Sequence, residues 1–416
     1  MVRQDDNVVE EALNGEGRTD ADLGDIGVIG VIGAGSMGAG IAQVALLAGH
    51  RVYLHDVSPD QVEHAVTSIE ARLRAQVDKG RLTHTEADAA VERLGVVPAI
   101  EDLPECELVV EAVREDLALK CEIFAELARH QTPTTILATN TSSLDVDEIA
   151  DRVQDPERVL GLHFFNPAPV MELVEVVRGS WTSDIYLDFA RSLVRRWGKS
   201  PVTCASTPGF IVNRVARPFY GEAQRMLEEG VADAATLDAC LRGAGFRMGP
   251  LELTDLIGQD VNLAVGMSVW QQTDRDPRYA PTRLQQDLVA SGRLGRKTGQ
   301  GIYTYASGDP AGRAQVVGAT PDESRVAELV GGPVTTDPVA RTLAMLVNEA
   351  VDLVHRGEAS AQDVDTAMVL GTAYPKGPLA WGRELGHDVV RHTLEELDAA
   401  YPGGRYRPSL ALETMP

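Results

Sequence analysis

Ile26-Gly27-Val28-Ile29-Gly30-Val31-Ile32-Gly33-Ala34-Gly35-Ser36-Met37-Gly38 is the stretch that decides the fold. A short apolar run ends in a Gly-x-Gly-x-x-Gly turn. Apolar residues then continue at helical spacing from Ser36 to Ala48, and a second apolar run follows from Arg51 to His55. Strand, glycine turn, helix and strand make a βαβ unit. Placed there, the first glycine permits the tight turn and the second lets backbone approach a pyrophosphate. The third lets the helix pack on its strand while its N-terminus faces the anion. Gly33, Gly35, Ser36, Met37 and Gly38 are therefore the expected cofactor cradle. Asp56 ends the second strand, where a carboxylate accepts from both ribose hydroxyls and repels a 2'-phosphate. The reading favours NAD over NADP, the alternative being a plain turn aspartate before Ser58-Pro59.

Working outward, helical spacing between Pro59 and Leu94 is broken near Lys79-Gly80. Thr83 and Glu86 could cap a second helix there, which predicts an inserted antiparallel helical hairpin. Further strands are expected at Leu108 to Val113, Thr135 to Thr139, Val159 to His163 and Met171 to Val177, with a helix from Leu117 to His130. The alternation predicts a doubly wound α/β domain of Rossmann type over 26–206. After Pro208 the strand signal fades and helical periodicity takes over, giving an all-α domain over 207–305. A Gly/Pro/Asp/Thr-rich linker is expected over 306–338, broken only by a helical-looking Glu323 to Val330. Residues 1–25 read as a mobile acidic tail.

The helical domain is present in two copies, the second over 339–416. Glu222-Ala223 matches Glu349-Ala350, Gly230 matches Gly357, and Asp238 matches Asp365. Gly249-Pro250-Leu251 then matches Gly377-Pro378-Leu379, and Gly258 and Asp260 match Gly386 and Asp388. Asn213 faces Ala340 in this register, and neither the glycine fingerprint nor the histidine segment described next recurs. One active site is expected.

A 416-residue chain with a net charge of -24 is a poor partner for nucleic acid, and any anionic ligand must be held by helix N-termini or a few placed cations. No apolar run approaches bilayer length, and the acidic start is unlike a signal, so a cytoplasmic protein with no membrane partner is expected. Cys106, Cys121, Cys204 and Cys240 lie far apart without metal-ligand spacing, so no metal is expected.

His163, in Gly161-Leu162-His163-Phe164-Phe165-Asn166-Pro167, sits at the end of an apolar strand, where doubly wound sheets face their cofactor. A group of near-neutral pKa there can take a hydroxyl proton as hydride leaves. Glu175, twelve residues on, could hold the imidazole in one tautomer. Together with Asn140-Thr141-Ser142-Ser143 and Asn213-Arg214, these segments resemble the 3-hydroxyacyl-CoA dehydrogenase family across about Ile26 to Tyr305. The likeness continues into the Gly-Pro-Leu segments of both copies and Gly295-Arg296-Lys297-Thr298-Gly299-Gln300-Gly301.

The resemblance implies an NAD cofactor and an acyl-CoA substrate, with His163 as general base, Glu175 as its orienting carboxylate, and Ser142 and Asn213 on the reacting oxygen. Glu115, Lys120 and Asn140 fall where the family contacts the nicotinamide nucleotide. Lys79 falls on the hairpin where the family holds coenzyme A, though a solvated helix-end lysine is the alternative. Glu172 departs from the basic residue many members carry. The second copy would pack on the first as neighbouring subunits do in single-copy relatives, giving a pseudo-dimeric monomer or a homodimer. The duplicated tail resembles bacterial members acting on 3-hydroxyadipyl-CoA or 3-hydroxybutyryl-CoA. Open alternatives are the same chemistry on an acyl carrier protein substrate or a free sugar acid, or a non-catalytic NADH-binding protein.

Overall fold

The computed structural model describes residues 27–306 and 315–413. The expected acidic tail and the 307–314 part of the expected linker lie outside the described residues. The chain divides into two compact units, Met1–Ser206 and Thr207–Pro416.

The first unit is built on an eight-stranded sheet. Its strands are β1 (Val28–Ile32), β2 (Arg51–His55), β3 (Leu94–Val96), β4 (Leu108–Glu111), β5 (Ile136–Thr139), β6 (Val159–Phe164), β7 (Leu173–Arg178) and β8 (Ser200–Ala205), in the order β3-β2-β1-β4-β5-β6-β7-β8. β1 to β6 are parallel, as near-continuous apolar strands covered on both faces tend to be. β7 runs antiparallel to β6, and β8 parallel to β7. The helices of this unit are α1 (Ser36–Leu47), α2 (Pro59–Asp78), α3 (His84–Glu92), α4 (Leu117–His130), α5 (Val146–Ala150) and α6 (Asp184–Arg196). The chain builds outward from β1 through β2 and β3, then returns to the other side of β1 for β4. That makes the C-terminal end of β1 the switch point at which doubly wound sheets open a crevice.

α2 and α3 form the inserted hairpin, and Thr83 with Glu86 closes a capping box at the start of α3. Two expected strands are displaced. β4 stops at Glu111, where the Val113 N–H turns back onto the Glu111 carboxylate at 2.7 Å, and β7 begins at Leu173 rather than Met171. Two strands were not foreseen, because β3 is three residues long with a central glycine and β8 contains Pro201. Both lie at sheet edges, where proline and brevity are tolerated.

The second unit is helical: α7 (Val212–Val215), α8 (Arg217–Glu228), α9 (Ala234–Gly243), α10 (Pro250–Ile257), α11 (Gln259–Gln272) and α12 (Arg283–Ala290), then α13 (Glu323–Leu329), α14 (Pro338–His355), α15 (Ala361–Thr372), α16 (Pro378–Leu385) and α17 (His387–Ala400). Part of the stretch expected as a linker is ordered. α13 buries Leu329, the Asp322 N–H donates to Thr236 at 3.0 Å, and Arg325 reaches the Val231 carbonyl at 3.1 Å.

The repeat has a physical cause. The Asp238 carboxylate accepts the Leu251 and Glu252 N–H groups at the start of α10, both at 2.9 Å. Asp365 takes the Leu379 and Ala380 N–H groups at the start of α16, at 2.8 and 3.1 Å. Each carboxylate satisfies donors that a helix start leaves orphaned. A Cβ on Gly249 would sit 2.2 Å from the Asp238 carboxyl carbon, and one on Gly377 at the same distance from that of Asp365. Aspartate and glycine therefore recur as a pair.

A second recurrence joins the copies. Glu222 of the first copy is buried against Arg341, Arg405 and Tyr406 of the second, with Arg405 at 2.7 Å, Tyr406 Oη at 2.7 Å and Arg341 at 3.1 Å. Glu349 of the second copy is buried against Arg214, Arg278 and Tyr279 of the first. Each pair, Arg214/Arg341, Glu222/Glu349, Arg278/Arg405 and Tyr279/Tyr406, is separated by the same interval in sequence. The two clusters are reciprocal, the arrangement that a two-fold interface imposes. Burial alone would raise the Glu222 carboxyl, but the Arg405 and Arg341 guanidiniums outweigh it and hold it down at about 2.

Replacing either buried glutamate removes a carboxylate shared by two guanidiniums, but Arg341 keeps Glu229, Arg214 keeps Asp352 and Glu358, and Arg278 keeps Asp276 and Asp352. Glu222→Gln should destabilise the chain by about 3–5 kcal/mol in urea denaturation, and Glu349→Gln by less, because Asp352 remains beside both Arg214 and Arg278. A neutral result for one but not the other would break the reciprocity. Because the Glu222 carboxyl titrates lower when folded, its contribution is complete above the ordinary carboxyl value of 4.5 and is lost as pH falls toward 2. The thermal midpoint of the native chain should fall through that window, and that of Glu222→Gln should fall less.

Candidate functional site

The glycine turn lies at the C-terminal end of β1. Gly33 has φ 102°, and its N–H donates to the His55 carbonyl at 2.8 Å, tying β1 to β2. A Cβ on Gly33 would meet the Ala112 carbonyl oxygen at 2.6 Å, and one on Gly38 would meet the Gly33 carbonyl oxygen at 1.8 Å. Gly35 differs, because a Cβ there would meet nothing within 4 Å. It is also the N-cap of α1, and no side chain caps that helix. Backbone donors of the first turn thus face open space, and the third glycine is needed for packing. Asp56 accepts the Ala34 N–H at 2.8 Å through one oxygen and the Ser58 N–H at 2.9 Å through the other. It braces the glycine turn and serves the following turn as well, while a carboxylate retains acceptor capacity beyond two bonds. This cradle fits a dinucleotide with free ribose hydroxyls.

At the end of β6, His163 and Glu175 are directly opposed in the antiparallel register with β7. Side chains of opposed residues share one face, so spacing along the chain becomes proximity across the sheet. The Nδ1 to Oε2 distance is 2.6 Å, with Glu175 fully buried and His163 6% exposed. An ionised carboxylate offers only acceptors, so the pair is satisfied when Nδ1 carries the proton. The Phe165 ring lies 4.5 Å from the imidazole centroid. The turn beyond, which includes the cis Asn166–Pro167 bond, is tied down by Lys199, whose ammonium donates to the Ala168 and Met171 carbonyls, both at 2.7 Å. Burial lowers the Lys199 pKa, and the charge of Glu172 opposes that effect.

Asn140 and the turn 141–143 follow β5. The Asn140 side-chain oxygen accepts the Phe164 N–H at 2.8 Å, linking this turn to the residue beside His163. One oxygen of Glu115 gathers the Thr141 hydroxyl at 2.6 Å, the Ser142 N–H at 2.9 Å, the Ser143 hydroxyl at 3.0 Å and the Ser142 hydroxyl at 3.4 Å. The other oxygen lies 3.3 Å from the Lys120 ammonium. Burial would raise the Glu115 pKa, but the Lys120 charge and these hydrogen bonds win and lower it. Lys120 itself is 1% exposed and also contacts both oxygens of Glu111, at 2.7 and 3.0 Å.

The structure therefore brings together His163 with Glu175, Asn140 with the backbone next to His163, and Ser142 with Glu115 and Lys120. Lys79 is exposed at the C-cap of α2, and Asn213 lies on α7 of the second unit. Its neighbour Arg214 turns into the Glu349 cluster. Sequence reasoning missed Glu111 and Lys199, and gave Thr141 no role beyond its place in the Asn140-Thr141-Ser142-Ser143 segment. A glutamate closing the apolar run Leu108-Val109-Val110, with a lysine on the next helix, was the available signal for Glu111. Among the described residues, Glu101, Glu126 and His130 form a surface group whose ligand atoms lie within 4.8 Å of one another, and no helix is long and apolar enough to cross a membrane.

Residues 28–207 match the family described as 3-hydroxyacyl-CoA dehydrogenase, NAD binding domain, and residues 209–305 and 338–416 match its C-terminal domain. The chain is 42% identical to the 3-hydroxyadipyl-CoA dehydrogenase of Escherichia coli (strain K12), over 90% of this chain and 94% of that one. The probable 3-hydroxybutyryl-CoA dehydrogenase of Bacillus subtilis (strain 168) is 40% identical, with 94% of its length matched by 65% of this chain. A crystal structure of 3-hydroxybutyryl-CoA dehydrogenase from Escherichia coli K12 superposes with a TM-score of 0.84 at 40% identity, covering 94% of this chain and 98% of that one. The chain belongs to the 3-hydroxyacyl-CoA dehydrogenase family and is an NAD-dependent oxidoreductase.

Proposed function

We propose that the chain reversibly oxidises the 3-hydroxyl of a (3S)-3-hydroxyacyl-CoA to the 3-oxo compound, with His163 as general base. The observation that carries this reading is the buried His163–Glu175 pair at the C-terminal end of β6. NAD, when bound, would supply the acceptor for the hydride leaving the carbon that bears the hydroxyl. His163 takes the hydroxyl proton at Nε2, while Glu175 keeps Nδ1–H oriented and stabilises the imidazolium. In the reverse direction the imidazolium returns that proton to the developing alkoxide. Ser142 and Asn213 hydrogen-bond the reacting oxygen, and losing one such donor costs about 2.7 to 4 kcal/mol of transition-state stabilisation.

The turn from Gly33 to Gly38 with Asp56 holds the dinucleotide, Glu115, Lys120 and Asn140 serve its nicotinamide end, and Lys79 meets the coenzyme A portion. The names of the two Escherichia coli relatives support 3-hydroxyadipyl-CoA or 3-hydroxybutyryl-CoA as substrate. The reciprocal Glu222 and Glu349 clusters support a pseudo-dimeric monomer, since each copy's buried carboxylate is already answered within the chain.

With acetoacetyl-CoA at neutral pH, NADH absorbance should fall in the presence of the native chain, faster than with NADPH, and should stay flat with His163→Gln. No turnover by a native chain that still binds NADH would sink the acyl-CoA assignment. Gly35→Ala should raise the KM for NAD without lowering the thermal midpoint, because its methyl enters space open in the protein. Gly38→Ala should lower the midpoint, because its methyl meets the Gly33 carbonyl.

A further inference from the structure

Glu111 has no part in the mechanism above, yet it is fully buried at the end of β4, beside the site. Its carboxylate is fixed from three directions. Thr139, opposite it on β5, donates its hydroxyl at 2.8 Å, the Val113 N–H donates at 2.7 Å, and Lys120 spans both oxygens. Lys120 thereby has little freedom, and its remaining contact is to one oxygen of Glu115. The other Glu115 oxygen collects the turn 141–143. If Glu115 rotated, it would lose either its cation or the turn.

We propose that Glu111 is a positioning residue for the reaction: it pins Lys120, Lys120 pins Glu115, and Glu115 fixes the turn that presents Ser142. The proposal rests on the dehydrogenase reading for its kinetic consequences, while the order of the turn itself can be read without turnover. The chain of contacts also carries charge, with one ammonium between two carboxylates. The ammonium beside one Glu115 oxygen keeps the carboxylate ionised and oriented so that its other oxygen meets the Ser142 N–H.

The test compares Glu111→Gln, Lys120→Met and the double variant with the native chain. Each single variant should lose about 10- to 100-fold in kcat at saturating substrate and cofactor, the scale expected when a supporting residue misplaces a reacting group. In Lys120→Met an acid limb in kcat should appear nearer neutrality, because Glu115 keeps its burial and loses its cation. The double variant removes the fully buried Glu111 charge together with its cation and leaves only the less buried Glu115 unanswered, so its thermal midpoint should lie above that of Lys120→Met while kcat and the acid limb do not recover. Hydrogen exchange at the Ser142 amide should be faster in the folded double variant than in the native chain. A double variant with native kcat, native pH profile and native exchange at Ser142 would overturn the proposal, leaving Glu111 and Lys120 as mere ballast for the fold. Unchanged exchange at Ser142 overturns it even without turnover. A native chain that does not turn over counts against the dehydrogenase reading alone.

Discussion

One reversal of chain direction, between β6 and β7, sets the geometry of the buried His163–Glu175 pair. Six parallel strands bring their C-terminal ends to one edge of the sheet, but parallel neighbours cannot place two residues of a short segment face to face. The antiparallel return does so, opposing His163 and Glu175 on the same face. Because side chains alternate, a slip of one residue would send Glu175 to the other face of the sheet. The register is held from both sides. Asn140 grips the Phe164 N–H at the end of β6, and Lys199 grips the Ala168 and Met171 carbonyls before β7 begins.

The second unit shows what a duplication preserves. Residues that recur are those that hold helices and copies together: the Asp238 and Asp365 caps with their glycines, and the Glu222 and Glu349 clusters with their arginines and tyrosines. The residue proposed for chemistry does not recur. Asn213 has Ala340 as its counterpart, while the adjacent Arg214 keeps its counterpart in Arg341. Packing constraints act on both copies because each glutamate needs the other copy's cations.

Much of the architecture was legible because it is written in local signals. The glycine turn, the capping box at Thr83 and Glu86, and the repeated Asp and Gly-Pro-Leu segments each record a short-range physical demand. The His163–Glu175 pair was also readable as a pair, since both lie in strands. The rest was set by contacts between distant segments. Edge strands β3 and β8 carry too little apolar signal to stand out, and α13, readable as a helix from Glu323 to Val330, gave no sign of its anchoring to Thr236 and Val231. Glu111 is invisible as a site residue until β4, β5 and α4 are assembled, because its partners Thr139 and Lys120 come from two different elements. Arg214 read as part of a family motif beside Asn213, and only the folded chain shows its guanidinium in the cluster between the copies.

The charge balance of the chain gains a meaning from these contacts. With a net charge of -24, the surface field disfavours an anionic coenzyme, and several cations are already committed to internal carboxylates. Arg214, Arg278, Arg341 and Arg405 serve the two copy-joining clusters, and Lys120 serves Glu111 and Glu115. Buried ion pairs are screened little by salt or by the global field, so these commitments do not relax when an anion approaches. Fixed local dipoles gain weight in phosphate recognition, and the uncapped N-terminus of α1 at Gly35 is placed at the switch point of the sheet. A backbone cradle of that kind keeps its donors whatever the net charge, which is why an acidic chain can still be built around a doubly charged pyrophosphate.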